Sequence, residues 1–530
     1  MTWPGRPTEP GDQDTMVLPV VPASRGTTGW ATGTTDQDTM VLPVVPADPG
    51  PTGGPADPGD GSRSARGLSM ATAVSLGLRL LGMVVGMATT SVLARYLNPD
   101  GYGLFALALT LGTAAAQIAD MGTSITVSSR IAREKESAGR ILSTGLVIRT
   151  SMALAATVAL LVGATQGLFG ESSGVVSVVA IATPLSAASV LTAGATARFR
   201  PEVSAILALV QGVLWLVAVV VIAQTGGDLV LLAWFFVAVV TVQTGIGVLI
   251  NRRLVPLGRP SWAEAGRIFA LSWPLAISSL AVMAYYRLGS VILFHLQGAA
   301  EVGYYSAAYK FLDVAQLGPA MLVAPLLPIV ATSMSMDAHR RSLIFSLATR
   351  TGVVIGAGTA VLLIALAPAL VAYLYGDDFG PAVTPLMLLA VAFVGVTLGY
   401  VGTTICSALG VVRPIAVLTV SVAVVNLAAQ FWACARWGAT GAAAVAAGTE
   451  LIIGVATCLL AARAMTSRLP VREVASVFAA GAATILVLWL VRLPWPVEAA
   501  LAGAAFGAAV LVSRALTMAD LKRVLSRKAL

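Results

Sequence analysis

Long stretches of apolar residues, separated by short polar turns, recur along most of the chain. Between these turns the pattern predicts helices near residues 69–94, 104–128, 141–168, 174–196, 203–225, 229–250, 268–296, 304–331, 349–375, 383–409, 414–434, 441–462, 474–491 and 497–512. Most exceed the roughly 18 residues needed to cross a hydrocarbon layer about 30 Å thick. The pattern therefore predicts an all-α integral membrane protein with about fourteen transmembrane helices.

Composition supports a chain that folds in lipid. Of its 530 residues, 57% are hydrophobic and 11% are charged, whereas soluble domains carry about 25% charged residues. The net charge of +8 does not predict a nucleic-acid partner, because the basic residues lie in short turns and not on one face. Two histidines and three separated cysteines predict no metal site, and the absence of a phosphate-binding glycine loop predicts no cofactor. We therefore expect a transporter and not an enzyme.

Basic residues are distributed unequally between the two sets of turns. Turns after odd-numbered predicted helices hold three arginines, and turns after even-numbered helices hold sixteen basic residues. Because arginine and lysine are retained on the cytoplasmic side, both termini are predicted to be cytoplasmic, in a bacterial cytoplasmic membrane. An even number of crossings is needed for this arrangement, which favours fourteen.

The first 66 residues are rich in Pro, Gly, Thr and Asp and show no apolar period, which predicts a disordered cytoplasmic tail. The sequence DQDTMVLPVVPA occurs in it twice, at residues 12–23 and 36–47. Thr15 and Thr39 hold the same place in the two copies, with acids at −1 and −3. We predict phosphorylation of both by a Ser/Thr kinase and recognition by a phosphothreonine-binding protein, since the spacing resembles that of substrates read by forkhead-associated domains. The alternative is a recent duplication in a spacer.

A weaker repeat relates the two halves of the membrane region. At an offset of 200, three identities align: Leu93, Gly103 and Ala108 with Leu293, Gly303 and Ala308. Parallel repeats of this kind are typical of alternating-access transporters. We therefore predict a six-helix N-lobe at 67–254, a six-helix C-lobe at 255–465, and two further helices with a basic cytoplasmic tail at 466–530.

Basic residues inside predicted spans are candidate substrate ligands, because charge in the bilayer is costly. Arg79 and Arg287 lie at similar depths in corresponding helices of the two lobes, which would place two guanidinium groups on opposite walls of one cavity. Such a pair suits a diphosphate, because arginine binds phosphate oxygens in a bidentate manner. Arg149 and Lys310 are further candidates. The alternative is that these side chains pair with buried acids and only hold helices together.

Two acids inside predicted spans are candidates for ion or proton coupling. Glu450 lies deep in the twelfth predicted helix and has no basic neighbour at helical spacing, so its carboxyl could load and release a proton. A neutral Glu450 bonded between helices is an equal alternative. Asp313 lies three residues from Lys310 on one helix face, where the two could also neutralise each other.

Several motifs carry a resemblance to a known family. The segment RLLGMVVGMATTSVLARYLNPDGYGLFALALTL at residues 79–111, followed by the D-x-G of residues 120–122, resembles the opening signature of the multidrug, oligosaccharidyl-lipid and polysaccharide exporter superfamily, and within it the Wzx-type polysaccharide flippases. YRLGSVILFHLQGAAEVGYYSAAYKF, LYGDDF and GATGAA match in the C-lobe. The resemblance implies two pseudo-symmetric bundles around a cavity that moves a polyprenyl-diphosphate-linked saccharide between membrane leaflets, for cell-envelope polysaccharide synthesis.

The chain departs from the family's pattern at two positions. Flippases of this type often have an aspartate where this chain has Gly289, and lipid II flippases usually carry a second arginine where it has Val85. Three alternatives stay open: a lipid II flippase, a cation-coupled multidrug exporter, and a membrane scaffold that recruits envelope machinery through its tail.

Overall fold

The computed structural model describes residues 58–188, 201–254, 257–316, 318–319, 330, 337–491 and 494–512. Three short 3-10 turns and thirteen α-helices make up the regular structure of these residues: α1 Pro58–Asp120, α2 Thr123–Arg133, α3 Ala138–Thr165, α4 Ser173–Ala187, α5 Pro201–Thr225, α6 Leu229–Leu254, α7 Trp262–Gln297, α8 Ala299–Ala315, α9 Ala338–Tyr375, α10 Val383–Ala408, α11 Arg413–Ala464, α12 Val471–Val491 and α13 Trp495–Val512.

Two of these helices are bent sharply and cross the membrane twice. A straight helix of 63 residues, the length of α1, would span about 95 Å, far more than a bilayer. It folds back at Asn98, which has φ 57° and precedes Pro99, and a residue before proline is disfavoured in helical geometry. The 52-residue α11 folds back at Gly438, with φ 54° and ψ −134°. Each helix therefore has a first and a second arm.

The number of spans agrees with the prediction from the sequence. Nine helices in the described ranges are long and apolar enough to cross a membrane. The two bent helices cross twice, and the shorter α4, α8 and α13 complete about fourteen spans. The predicted all-α membrane fold, with two six-helix lobes and two appended helices, is confirmed. Helices α1 to α6 form the N-lobe, α7 to α11 form the C-lobe, and α12 and α13 pack against α9.

Two predicted boundaries are wrong. Helix α1 begins at Pro58, so residues 58–66 are helical although they were expected in the tail. Its second arm ends at Asp120, eight residues before the predicted 128, because Met121 and Gly122 both have positive φ and break the helix. Residues 1–57 lie outside the described part of the chain, and with them Thr15 and Thr39.

The repeat seen in the sequence corresponds to a contact between the lobes. A Cβ on Gly103 would overlap the carbonyl of Ala299 and lie 2.9 Å from the Gly303 nitrogen. A Cβ on Gly303 would in turn overlap the carbonyl of Pro99. The second arm of α1 and α8 therefore cross with their backbones in contact, as small residues permit in membrane bundles. We call this end of the bundle the glycine end.

Further bonds and apolar packing close the lobes together at the glycine end. Ser91 donates to the Leu374 carbonyl at 2.5 Å, and Arg95 Nε donates to the same oxygen at 3.1 Å. A ring nitrogen of His295 lies 2.8 Å from the Leu168 carbonyl oxygen. One buried apolar cluster contains residues of both lobes. The bundle is therefore closed at this end.

At the opposite end, the first half of α7 packs on the N-lobe. Arg130 of α2 is buried and bonds both Glu134 and Glu264, the latter from α7. Ser272 Oγ donates to Thr126 Oγ1 at 2.8 Å. We call this the arginine end.

The second half of α7 packs within the C-lobe. Gln297 Nε2 donates to the Cys434 carbonyl at 3.1 Å, and Leu293 is fully buried in the cluster that closes the glycine end. One continuous helix therefore contacts the N-lobe at the arginine end, and at the glycine end it contacts the C-lobe as well as Leu168 of the N-lobe.

Candidate functional site

Arg79 lies on the first arm of α1, and its side chain is exposed. It forms no hydrogen bond or ion pair with any residue that the structure describes. An exposed guanidinium at this depth needs water or an anionic ligand, because an unpaired charge facing hydrocarbon is costly. The geometry leaves its hydrogen-bond donors available to a ligand.

Arg287, Lys310 and Asp313 form a charged group where α7 and α8 adjoin. Arg287 and Lys310 are half-buried and Asp313 is exposed. Lys310 and Arg287 both lie close enough to Asp313 to act electrostatically on its carboxylate. No ion pair within 4.0 Å joins these three among the described residues. Lys310 and Asp313 are therefore neighbours without direct contact, and the group carries a net positive charge.

Glu450 lies on the second arm of α11 and is 6% exposed. The Tyr286 side chain faces its carboxyl, whereas its Oε1 has no hydrogen-bond partner. Nearby, Asn426 donates to Thr449 Oγ1 at 2.6 Å, and its own Oδ1 has no partner. Two buried acceptors without donors are unfavourable, and a proton on Glu450 would supply one donor.

Tyrosines lie between the Arg287 group and Glu450, and the sequence did not predict a role for them. The rings of Tyr285 and Tyr286 lie 4.3 Å apart, and Tyr286 contacts Tyr309 edge to face at 6.5 Å. Tyr309 interacts electrostatically with both Glu450 and Arg287. The available signal was their adjacency to charged residues in YYRL and YK, the motifs that hold Arg287 and Lys310.

Gly289, where related flippases often have an aspartate, lies against an amide. A Cβ at this position would be 3.1 Å from Gln430 Nε2. Gln430 is buried, with its Nε2 3.4 Å from the Ala442 carbonyl oxygen and its Oε1 3.2 Å from Cys434 Sγ. A neutral hydrogen-bonding side chain from α11 therefore occupies the space beside Gly289.

Arg149, a predicted substrate ligand, has partners within the N-lobe. Its guanidinium lies 3.0 Å from Asp120 Oδ1 and donates to Ser124 Oγ at 2.8 Å. Asp120 also accepts from the Ser124 hydroxyl at 2.6 Å, at the break between α1 and α2. Because the side chain is buried and paired, we read Arg149 as fixing this break against α3 and leave it out of the functional proposal below.

The profile of the polysaccharide biosynthesis protein family matches residues 69–334, half of the chain. The chain belongs to this family. The family is part of the multidrug, oligosaccharidyl-lipid and polysaccharide exporter superfamily, which confirms the resemblance seen in the motifs. None of the curated protein sequences matches this chain significantly.

Solved structures of the superfamily share the fold. The lipid II flippase MurJ, in an inward closed conformation, has a TM-score of 0.69 at 11% identity, over 83% of this chain and 97% of its own. An outward-facing multidrug resistance MATE transporter has a TM-score of 0.55 at 16% identity, over 75% of this chain and 95% of its own. A superfamily transporter from Pyrococcus furiosus, described for the reverse polarity of its binding pocket, has a TM-score of 0.56 at 16% identity, also over 75% and 95%. The protein is thus a multi-pass membrane transporter of this superfamily.

Proposed function

We propose that this protein moves a polyprenyl-diphosphate-linked saccharide from the inner to the outer leaflet of a bacterial cytoplasmic membrane. The observation that supports this best is the excess of available cations: Arg79, which has no partner among the described residues, and Arg287 and Lys310 around the carboxylate of Asp313. Guanidinium groups bind phosphate oxygens in pairs and keep their charge at physiological pH. A diphosphate is the ligand that balances these charges.

Alternating access gives the two ends of the bundle different roles. The charge distribution predicts that the arginine end is cytoplasmic, so the closed glycine end faces outward. Substrate then enters from the cytoplasmic leaflet, and rocking of the lobes separates the helices that meet at Gly103 and Gly303. A head group with about two negative charges gains roughly 2.3 kcal/mol per charge when it moves outward across an inside-negative potential of 100 mV. The membrane potential alone therefore favours export.

Glu450 supplies a route for additional coupling to protons. Its carboxyl combines burial with an oxygen that lacks a donor, and tyrosines link it to the Arg287 group. Loading a proton would remove the buried negative charge and turn the carboxyl into a hydrogen-bond donor, and releasing the proton would return a negative charge to the C-lobe. Asp313 lies on the same path and would respond to the same change in charge.

The test is transport of a fluorescent polyprenyl-diphosphate-saccharide in reconstituted vesicles. We expect Arg79→Ala and Arg287→Ala to reduce flipping at least tenfold while thermal stability in detergent is kept. Arg79→Lys should be partly active, because a point charge loses the bidentate geometry. Arg472→Ala on α12, which replaces an exposed arginine outside the two lobes, serves as the matched control. Transport at the wild-type rate by both alanine variants would refute the proposal.

The same assay separates the alternatives. Lipid II shares the diphosphate and differs in the groups beyond it, so it is offered as a second substrate. A cationic dye tests multidrug export, which the net positive charge of the Arg287, Lys310 and Asp313 group disfavours. A scaffold would move none of these compounds and would still recruit partners when Arg79 is replaced.

A further inference from the structure

A cavity of about 280 Å³ lies inside the N-lobe. Its walls come from the second arm of α1 and from α4, α5 and α6, and none of the described residues that line it is charged. The polar groups that line it are amides and hydroxyls, including those of Gln211, Gln243 and Thr183. It lies in one lobe and is separate from the charged groups of the proposed diphosphate site.

Three of these polar groups have side chains that form no hydrogen bond with any residue that the structure describes. Thr183 is 2% exposed and its hydroxyl has no hydrogen-bond partner. The amides of Gln211 and Gln243 form no hydrogen bond with residues in the described ranges. A glutamine amide offers two donors and one acceptor oxygen, and polar groups left unpaired inside a membrane bundle are costly. Their convergence on one cavity indicates a ligand that supplies hydrogen bonds.

The remaining wall restricts the chemistry of that ligand. Val179, Leu207 and Val240 are buried apolar residues, and the ring of Phe236 adds a flat apolar surface. A carboxylate would be desolvated here and would find no cation among the described lining residues, which is strongly unfavourable. A purely apolar chain would leave the amides unpaired. A sugar ring without charge offers hydroxyls around its edge and an apolar face, and it satisfies both parts of the wall.

The cavity also lies beside the helix that carries Arg79. Gly212, next to Gln211, packs on α1 so that its Cβ position is 3.5 Å from Val85 Cγ1. Val85 is six residues from Arg79, about 9 Å along the helix axis. A saccharide attached to a diphosphate at Arg79 therefore starts within a short distance of this part of the N-lobe.

We propose that the N-lobe cavity binds one uncharged sugar residue of the transported saccharide and selects it over an acidic sugar. This inference rests on the proposed function and extends it to the identity of the head group. It predicts that Gln211 and Gln243 determine specificity, while the diphosphate is bound elsewhere.

Two glycines of α6 allow a matched test. Gly247 lines the cavity, with open space until Leu207 at 3.9 Å, whereas Gly245 is exposed and has no atom within 4 Å. Gly247→Leu would fill the cavity, and Gly245→Leu adds the same side chain outside it. Gln243→Leu is a second variant, which keeps a side chain of similar volume and removes the amide that would bond the sugar. Elution profile and melting temperature check that each variant folds.

Transport is measured in vesicles for three lipids: a polyprenyl diphosphate with a neutral sugar, the same lipid with a hexuronic acid, and the polyprenyl diphosphate alone. We expect wild type to prefer the neutral glycolipid, and Gly247→Leu and Gln243→Leu to reduce its transport about tenfold. The sugar-free lipid and the Gly245→Leu variant should be unaffected.

The outcomes separate the two proposals. If wild type moves none of the lipids, the proposed function fails, and this inference fails with it. If wild type moves them and both cavity variants match its rates for all three, the function stands and the cavity does not bind the transported sugar. If the variants lose the sugar-free lipid equally, the cavity supports the structure of the lobe and does not recognise sugar. Either of the last two results would overturn the sugar site.

Discussion

Replacing Gly303 with alanine should open the glycine end of the bundle. The added Cβ would overlap the Pro99 carbonyl oxygen, lie 3.1 Å from the carbonyl carbon and lie 3.4 Å from the Gly103 nitrogen. These are backbone atoms of the opposite lobe, which cannot rotate away as a side chain can. The two helices must therefore separate, by a distance on the order of 1 Å. Overpacking of this kind typically costs about 1–3 kcal/mol, which corresponds to a shift of roughly 5- to 150-fold against the closed state.

The shift can be measured as a distance between the lobes. Spin labels at Glu171 in the N-lobe and Leu296 in the C-lobe, two exposed residues at the glycine end, would report it by electron paramagnetic resonance in a cysteine-free background. We expect a longer distance population in Gly303→Ala than in the parent. The control is Gly86→Ala, on the first arm of α1, where an added Cβ would have no atom within 4 Å. This variant should leave the distance distribution unchanged. An unaltered distribution in Gly303→Ala would show that this contact does not hold the end closed.

The other predictions concern coupling and the tail. Glu450→Gln should remove any dependence of transport on an imposed pH step while transport driven by the membrane potential continues, because the amide cannot load a proton; equal responses in wild type and variant would assign Glu450 a structural role. Replacement of Thr15 and Thr39 by alanine should abolish capture of a phosphothreonine-binding protein from kinase-treated membranes, since phosphate adds strong acceptors and charge, and should leave transport unchanged. Undiminished capture by the double variant would contradict the tail hypothesis.

Much of the fold could be predicted from the sequence because the bilayer imposes it. Apolar runs of spanning length identified the spans, and aligned residues such as Gly103 and Gly303 identified the repeat. The ends of helices were less predictable, since a break such as the one after Asp120 depends on the positive φ of Met121 and Gly122. Local breaks of this kind leave the apolar pattern intact.

Pairings between helices were the part of the site that sequence could not provide. Arg149 looked available because its partner Asp120 lies on another helix. Glu450 and the Arg287 group could be predicted because a charge inside the bilayer is costly. That Tyr286 and Asn426 lie near Glu450 could be seen only in the structure. The N-lobe cavity was not predicted because its polar residues are neutral. A neutral polar side chain in a span costs less free energy than a charge, so its presence there does not indicate a functional site.

The path of α7 has a consequence for how the protein is assembled during synthesis. The N-lobe is complete at Leu254, yet the buried Arg130 still lacks Glu264, and Thr126 still lacks Ser272. Both partner residues, Glu264 and Ser272, belong to α7, which is synthesised next. The first half of α7 can therefore dock on a finished N-lobe before the rest of the C-lobe is made. Its second half would then present to α8 and α11, as they are made, the surface on which they pack in the folded protein.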